Sequence, residues 1–271
     1  MNKLRPQNAL GILGNRGRTG GTLIIGLVIA AITLFRYCST STYNEYLGIR
    51  QNVSISPEEE IAIGLQSKPM MVQEFGGYDS DQRAQQLVKE VGQRLVQNSV
   101  ASKTPYQYEF HLLADRNTVN AFALPGGQVF ITRALFDRLT DADQLAGVLG
   151  HEIGHVIGRH SGERMEKDQL LKGLAGAAGV AMGDAQSAQM AQQVAALIGL
   201  KYGREQELQS DDLGVRFMID AGFKPEKLID VMEILKMASG GQSRPEFTSS
   251  HPDPENRKEM IEAAIKKYRK E

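Results

Sequence analysis

The sequence predicts an α+β fold, mostly helical, with one N-terminal transmembrane helix. Three observations carry that expectation. Residues 19–35, "TGGTLIIGLVIAAITLF", hold no charge and approach the ~20 residues a helix needs to cross a bilayer. Between residues 106 and 132, short alternating stretches punctuated by Pro and Gly read as strands. From residue 56 onward, most of the rest places apolar residues at helical spacing.

The bulk properties narrow the function classes. A chain of 271 residues has room for one sizeable domain and an appendage. Its net charge of -1 argues against a bulk nucleic-acid binder, so no nucleic-acid partner is expected. The single cysteine, Cys38, rules out an intrachain disulfide and a cysteine-based zinc cluster. Any metal must therefore be held by histidines and carboxylates. The chain has five histidines: His111, His151, His155, His160 and His251.

Taken in order, residues 1–18 form a basic arm with Lys3, Arg5, Arg16 and Arg18, and the first acid is Glu45. Residues 19–38 are the expected anchor, with Arg36 able to snorkel at its far end. The positive-inside rule keeps the arm cytoplasmic and sends residues 39–271 across. A cleaved signal peptide is the rival reading, but no small-x-small site follows, only "RYCSTST". Residues 39–55 are polar and aperiodic and read as a linker, with the main domain at 56–271.

Ser56, Pro57 and Glu59 announce a helix start with a capping box. A second helix is expected over 80–99, where Leu87, Val91 and Leu95 repeat at i, i+4. In "YQYEFHLLA" the alternation of Tyr106, Tyr108, Phe110 and Leu112 suits a half-buried strand. "TVNAFALPGGQVFIT" then reads as two strands around the turn Pro125-Gly126-Gly127, completing a small antiparallel sheet. Thr140, with Asp143 three residues on, is expected to cap the next helix, which runs to Ser161. Residues 170–200 are rich in small side chains and read as a close-packed helical hairpin; "GLAGAAGVAMG" is too short to span a bilayer. Helices are expected over "GREQELQSDDLGVRFMIDAG", over "KPEKLIDVMEILKMAS" and at the C-terminal end, with "SSHPDPENR" a loop.

The chemistry is concentrated in "HEIGH", residues 151–155. On a helix, His151 and His155 lie one turn apart on one face. That places two imidazoles to meet one zinc ion. Glu152 is turned about 100° away, taking 3.6 residues per turn, so it can act on water without being a ligand. A catalytic zinc typically takes three protein ligands. His160 falls one residue short of the third-ligand position of the metzincin pattern, and on a continuing helix that error rejects it. It is expected to pack or cap. The remaining candidate is a carboxylate on a later helix: Glu207, with Asp211 one turn on to orient a ligand histidine and Gly214 leaving room for close approach.

Four stretches in this order resemble the zinc metallopeptidase family of the CAAX prenyl endopeptidase, HtpX, BepA and Oma type: "NAFALPGG", "HEIGHVIGRHS", "REQELQSDDLG" and "SSHPDPENR". The resemblance covers roughly residues 56–260. It implies a zincin-type metallopeptidase domain with a small sheet beside the H-E-x-x-H helix. It further implies one Zn2+ on His151, His155 and Glu207, with Asp211 behind them and Glu152 as catalytic base. The His-Pro loop of the family would bring His251 to the metal, where it joins the catalytic set. Ser210 departs mildly from the usual Ala. With one membrane segment, the chain looks more like the Oma and soluble-domain members than HtpX.

The functional expectation is a membrane-anchored zinc endopeptidase acting on unfolded or misfolded polypeptides. The expected location is the bacterial inner membrane with the catalytic domain on the extracytoplasmic side, or alternatively the mitochondrial inner membrane. Gly127, Gln128 and Val129 are expected to begin an edge strand that pairs with substrate backbone. The alternative is a non-catalytic, zinc-stabilised, membrane-tethered chaperone or scaffold. A structural site has no need of Glu152 and is usually closed by four ligands.

Overall fold

The apolar N-terminal stretch is one unbroken helix, α1 (Arg16–Ser39), because nothing between residues 20 and 35 breaks or charges it. Its stretch Gly20–Ser39 has a mean hydropathy of 1.9 and is long and apolar enough to cross a membrane. In the computed structural model, residues 16–182, 203–239, 251–252 and 256–269 are described. They fall into two units, one containing residues 16–41 and 165–182, the other the remainder.

In the first unit, α1 runs beside the C-terminal part of α6 (His160–Met182). The contacting stripe is small on both sides. A Cβ built on Gly26 would lie 2.7 Å from the carbonyl oxygen of Ala177, and one on Gly173 would lie 2.6 Å from the Thr33 methyl. Arg36 donates to Gln169 across 3.4 Å. The large aliphatic side chains of α1, among them Leu23, Ile24, Leu27, Val28 and Ile32, point outward and are exposed.

The second unit begins with a hairpin, β1 (Ser41–Asn44) and β2 (Ile49–Asn52), in the stretch expected to be a linker. Side chains tie it down: Asn44 Nδ2 donates to Ile157 O at 2.9 Å, and Gln51 Nε2 to Gly158 O at 2.8 Å. Both carbonyls end a helix and lack intrahelical donors. Polar composition here signals capping of another element rather than solvent.

Helix α2 (Pro57–Glu74) starts at the expected capping box of Ser56 and Glu59. Helix α3 (Gln82–Gln97) starts at Asp81, whose carboxylate accepts from Arg83 and Ala84. The main sheet contains β3 (Glu109–Leu113), β4 (Ala121–Leu124) and β5 (Gln128–Thr132) in the order β3-β5-β4. β5 pairs antiparallel with β4, but parallel with β3, so the sheet is mixed rather than antiparallel. Both faces are covered. Phe110, Leu112, Val129 and Ile131 enter the main core, while Leu113 and Phe130 pack with Phe75 in a second cluster. That is why β5 is buried at every position.

This topology corrects the expected substrate strand. β5 is central, and its backbone is engaged by neighbours on both sides, so Gln128 and Val129 have no free edge to offer, and Gly127 only leads into that strand. Gly127, at φ 110, instead lets the turn pass close to Gln107, where a Cβ would lie 2.9 Å from its carbonyl oxygen.

A short helix α4 (Arg133–Phe136) leads to α5 (Ala142–Ile157). The cap of α5 is Asp141, accepting from Gln144 at 2.8 Å; Thr140 instead donates to the Gln144 side chain. α5 stops at Gly158 because Arg159 takes a left-handed backbone, φ 56, and α6 starts afresh at His160. Glu60 and the Ile55 carbonyl hold the Arg159 guanidinium at 3.0 and 2.6 Å and stabilise the break. α6 is a single helix to Met182; the rest of the expected hairpin lies outside the described residues. The chain resumes with α7 (Arg204–Asp220) and α8 (Lys227–Ser239), and α9 (Arg257–Tyr268) closes it.

Candidate metal centre

Glycine brings the two site helices together. A Cβ on Gly154 of α5 would stand 2.8 Å from the Ser210 carbonyl oxygen of α7, and one on Gly214 would stand 3.1 Å from the His151 nitrogen. With backbones this close, short side chains from both helices reach one point. His151, His155, Glu207 and His251 each offer a ligand atom there, all within 4.8 Å of one another, and all four are buried. His151 Nε2 lies 3.0 Å from His155 Nε2 and 3.4 Å from Glu207 Oε2. His251 Nδ1 is 3.1 Å from Glu207 Oε1 and 3.3 Å from His151 Nε2.

The surroundings set which ring nitrogens face inward. Asp211 Oδ1 accepts from His151 Nδ1 at 2.8 Å, which leaves His151 Nε2 for the centre. On the other ligand, His160 Nε2 sits 2.9 Å from Gln209 Oε1, which can only accept. His160 therefore donates there and presents a bare Nδ1, which accepts from His155 Nδ1 at 2.9 Å. His155 thereby turns Nε2, its unprotonated ring nitrogen, inward to 3.0 Å from His151 Nε2. Arg257 completes the support. Its Nε donates to Asp211 Oδ2 at 2.6 Å and its Nη2 to Oδ1 at 3.0 Å, a bidentate clamp.

The electrostatics follow from burial and these partners. Burial works against an ionised Glu207, but His251 and His151 outweigh it and hold the carboxyl well below its usual range. Asp211 is also lowered, burial being overcome by Arg257 and His151. Burial disfavours a charged His151, yet Asp211 and Glu207 carry it up to about 9. His155 and His160 have little such help. Burial, with the neighbouring His151 and His251, lowers His155 well below its usual value, and burial takes His160 down to about 4. Burial, with a smaller push from the Glu207 charge, raises Glu152 against the pull of His251 and His151. A buried pair of lowered carboxylates calls for compensating positive charge at the centre.

The donor set fits zinc, which favours nitrogen and carboxylate oxygen ligands. Glu207 Oε2 and Glu152 Oε1 are buried and lack a hydrogen-bond partner, as expected where an ion and a water complete the shell. His151, His155 and Glu207 come together as expected, with Asp211 behind His151. His251 also converges, with its Nε2 3.8 Å from Glu152 Oε1. His160 is no member of the donor set, but it does more than pack or cap. Arg257 had no expected role, although it ends the quoted "SSHPDPENR" stretch. His111 lies apart, its Nε2 3.1 Å from Gln128 Oε1.

Two helix-borne histidines, a carboxylate from a second helix and an adjacent buried glutamate define the class of zinc metallopeptidases. Residues 82–265 match peptidase family M48, and the chain belongs to that family. Similar proteins include the Beta-barrel assembly-enhancing protease of Escherichia coli K12, 33% identical over 64% of this chain and 37% of that protein. The Mitochondrial metalloendopeptidase OMA1 of Schizosaccharomyces pombe is 29% identical over 60% of this chain and 48% of its own length. The Metalloprotease YcaL of Escherichia coli K12 is 30% identical over 60% and 63%. The chain thus spans about one third to two thirds of these relatives.

Proposed function

We propose that this protein is a zinc endopeptidase that cleaves unfolded or misfolded polypeptides at a membrane, in protein quality control. The observation that carries this reading is Glu152, buried beside the donor cluster with one oxygen unpartnered. His151, His155 and Glu207 would hold the ion. Zinc bound there acidifies water and polarises the scissile carbonyl. Glu152 takes the proton from the attacking water and delivers it to the leaving amine; burial raises its affinity for that proton. His251, within reach of Glu152 and Glu207, donates to the developing oxyanion.

Substrate would add to the sheet at β4. Thr132 donates to the Asn120 carbonyl at 3.0 Å, so Asn120 faces β5. By alternation the backbones of Ala121 and Ala123 face away from β5, and the Ala123 backbone offsets part of the rise that burial gives the Glu152 carboxyl. Among the described residues no further strand pairs there. An extended peptide docked on that edge would run past Glu152.

The helix α1 supplies the anchor in this reading, with the domain on the extracytoplasmic side of a bacterial inner membrane or, by likeness to OMA1, in mitochondria. His251 as a fourth donor favours one competitor, a closed structural zinc site in a tethered chaperone. Glu152→Gln separates the two. It keeps shape and metal, and cleavage of unfolded casein should fall at least ~10²-fold. Undiminished cleavage, or none in the parent protein with full zinc, would overturn the enzymatic reading.

A further inference from the structure

The contacts inside the first unit fix how deep α6 lies relative to α1. The two helices run antiparallel: Gln169 meets Arg36, Gly173 meets Thr33, and Ala177 and Ala181 meet Gly26. Moving from Arg36 back to Gly26 covers about 15 Å at ~1.5 Å per residue, half of a ~30 Å hydrocarbon core. α6 therefore descends along α1 from its C-terminal end to about its middle. The sequence of α6 changes at the same level. Lys172 is its last charge, and residues 173–181, "GLAGAAGVA", carry no polar side chain.

The packing is also of a kind suited to lipid. Between helices in hydrocarbon there is no hydrophobic drive, so association relies on small residues and close backbones. Here the small residues face inward and the large aliphatic ones outward: Leu27 is 62% exposed and Val180 38% exposed. A water-facing pair of helices would turn its polar side chains out. The N–H groups of residues 173–181 find their acceptors inside α6, so this stretch can enter hydrocarbon without unpaired donors.

We propose that Gly173–Ala181 of α6 is buried in the membrane beside α1, as a helical segment that reaches about half-way through. Its partner is the lipid acyl chains. The proposal rests on α1 spanning the membrane, and the test separates the two. Single cysteines are placed at Leu27, Lys172 and Val180 in the full-length Cys38→Ser protein, in opened membranes whose two faces are both accessible. A membrane-impermeant maleimide is then added. Lys172→Cys should react readily. Leu27→Cys and Val180→Cys should react at least about tenfold more slowly, since the reactive thiolate needs water, and should react fully after denaturation. The protein itself leaves Val180 exposed, so its protection would come from lipid. Rapid labelling of Val180→Cys with Leu27→Cys protected overturns the proposal and leaves the span intact. Rapid labelling of both overturns the span and the proposal with it.

Discussion

Two helix pairs in this protein use the same steric device for opposite ends. α5 and α7 approach through Gly150, Gly154 and Gly214, and α1 and α6 through Gly26, Gly173 and Ala177. The first crossing is lined by His151, His155, Glu207 and Asp211, all buried. The second has no ionisable side chain from Gly173 to Ala181. Close backbones therefore do not specify what a helix pair is for. In α5 and α7 they shorten the reach, so that a short carboxylate and two rings meet at a point. In α1 and α6 closeness is itself the adhesive.

The largest effect that would break this comparison is expected at Gly154. An added Cβ at 2.8 Å from the Ser210 carbonyl must push α7 away. Gly154→Ala should lose most bound zinc and ~1–3 kcal/mol of stability, despite the better helix propensity of alanine. Metal analysis and a thermal melt check it; retained zinc would mean the spacing is not what assembles the site. Gly150→Ala is the sharpening control. Its Cβ would have 3.4 Å to Gly214, an ordinary contact, so zinc should stay.

Next come the residues that orient ligands. Asp211→Asn and His160→Ala should each weaken zinc binding ~10–100-fold, by competition with a chelator, without abolishing it. Restoration by His160→Gln would identify the hydrogen bond to His155 Nδ1 as the cause. Equal affinity in His160→Ala would return His160 to a packing role.

The smallest effect lies outside both crossings, at Glu60. Burial raises its carboxyl above the ordinary 4.5, with Tyr106 and Arg159 offsetting part of the rise. The folded state thus holds this proton more tightly than the unfolded chain does. Its contribution to stability is fully present below 4.5 and is lost as pH rises through the folded value. Glu60→Gln should flatten the dependence of Tm on pH in the window just above 4.5. An unchanged profile would show that Glu60 does not titrate in a folded-state environment of its own.

Much of the site was legible because its spacing is local. H-E-x-x-H needs one helix turn, and Glu207 with Asp211 another, so chemistry and period coincide in "HEIGH" and "ELQSD". His160 lies outside the donor set as expected, but its contact with His155 was missed, because its rejection as a ligand assumed a continuing helix. The left-handed Arg159 breaks it, a backbone state that an arginine gives no warning of. Arg257 was missed because its partner Asp211 is far away in sequence, and only the fold pairs them. The β5 error has the same origin. Alternation identifies a strand but not its neighbours, and the parallel partner β3 arrives by a crossover. In 39–55 the polar side chains of Asn44 and Gln51 concealed a hairpin, since their acceptors lie on α5.

The spread of the metal-centre residues along the chain sets an order in time. His151 and His251 stand 100 positions apart and Asp211 with Arg257 46, yet all meet in one buried cluster. A growing chain emerges N-terminus first. The apolar helix is therefore available to dock long before Glu207 exists, and the clamp on Asp211 waits until Arg257 has been made. A chain interrupted anywhere between these events has the apolar helix but only part of the centre. Such fragments, however stable, have an incomplete donor set or an unsupported one. The donor set and its support are therefore complete only once residue 257 has been made.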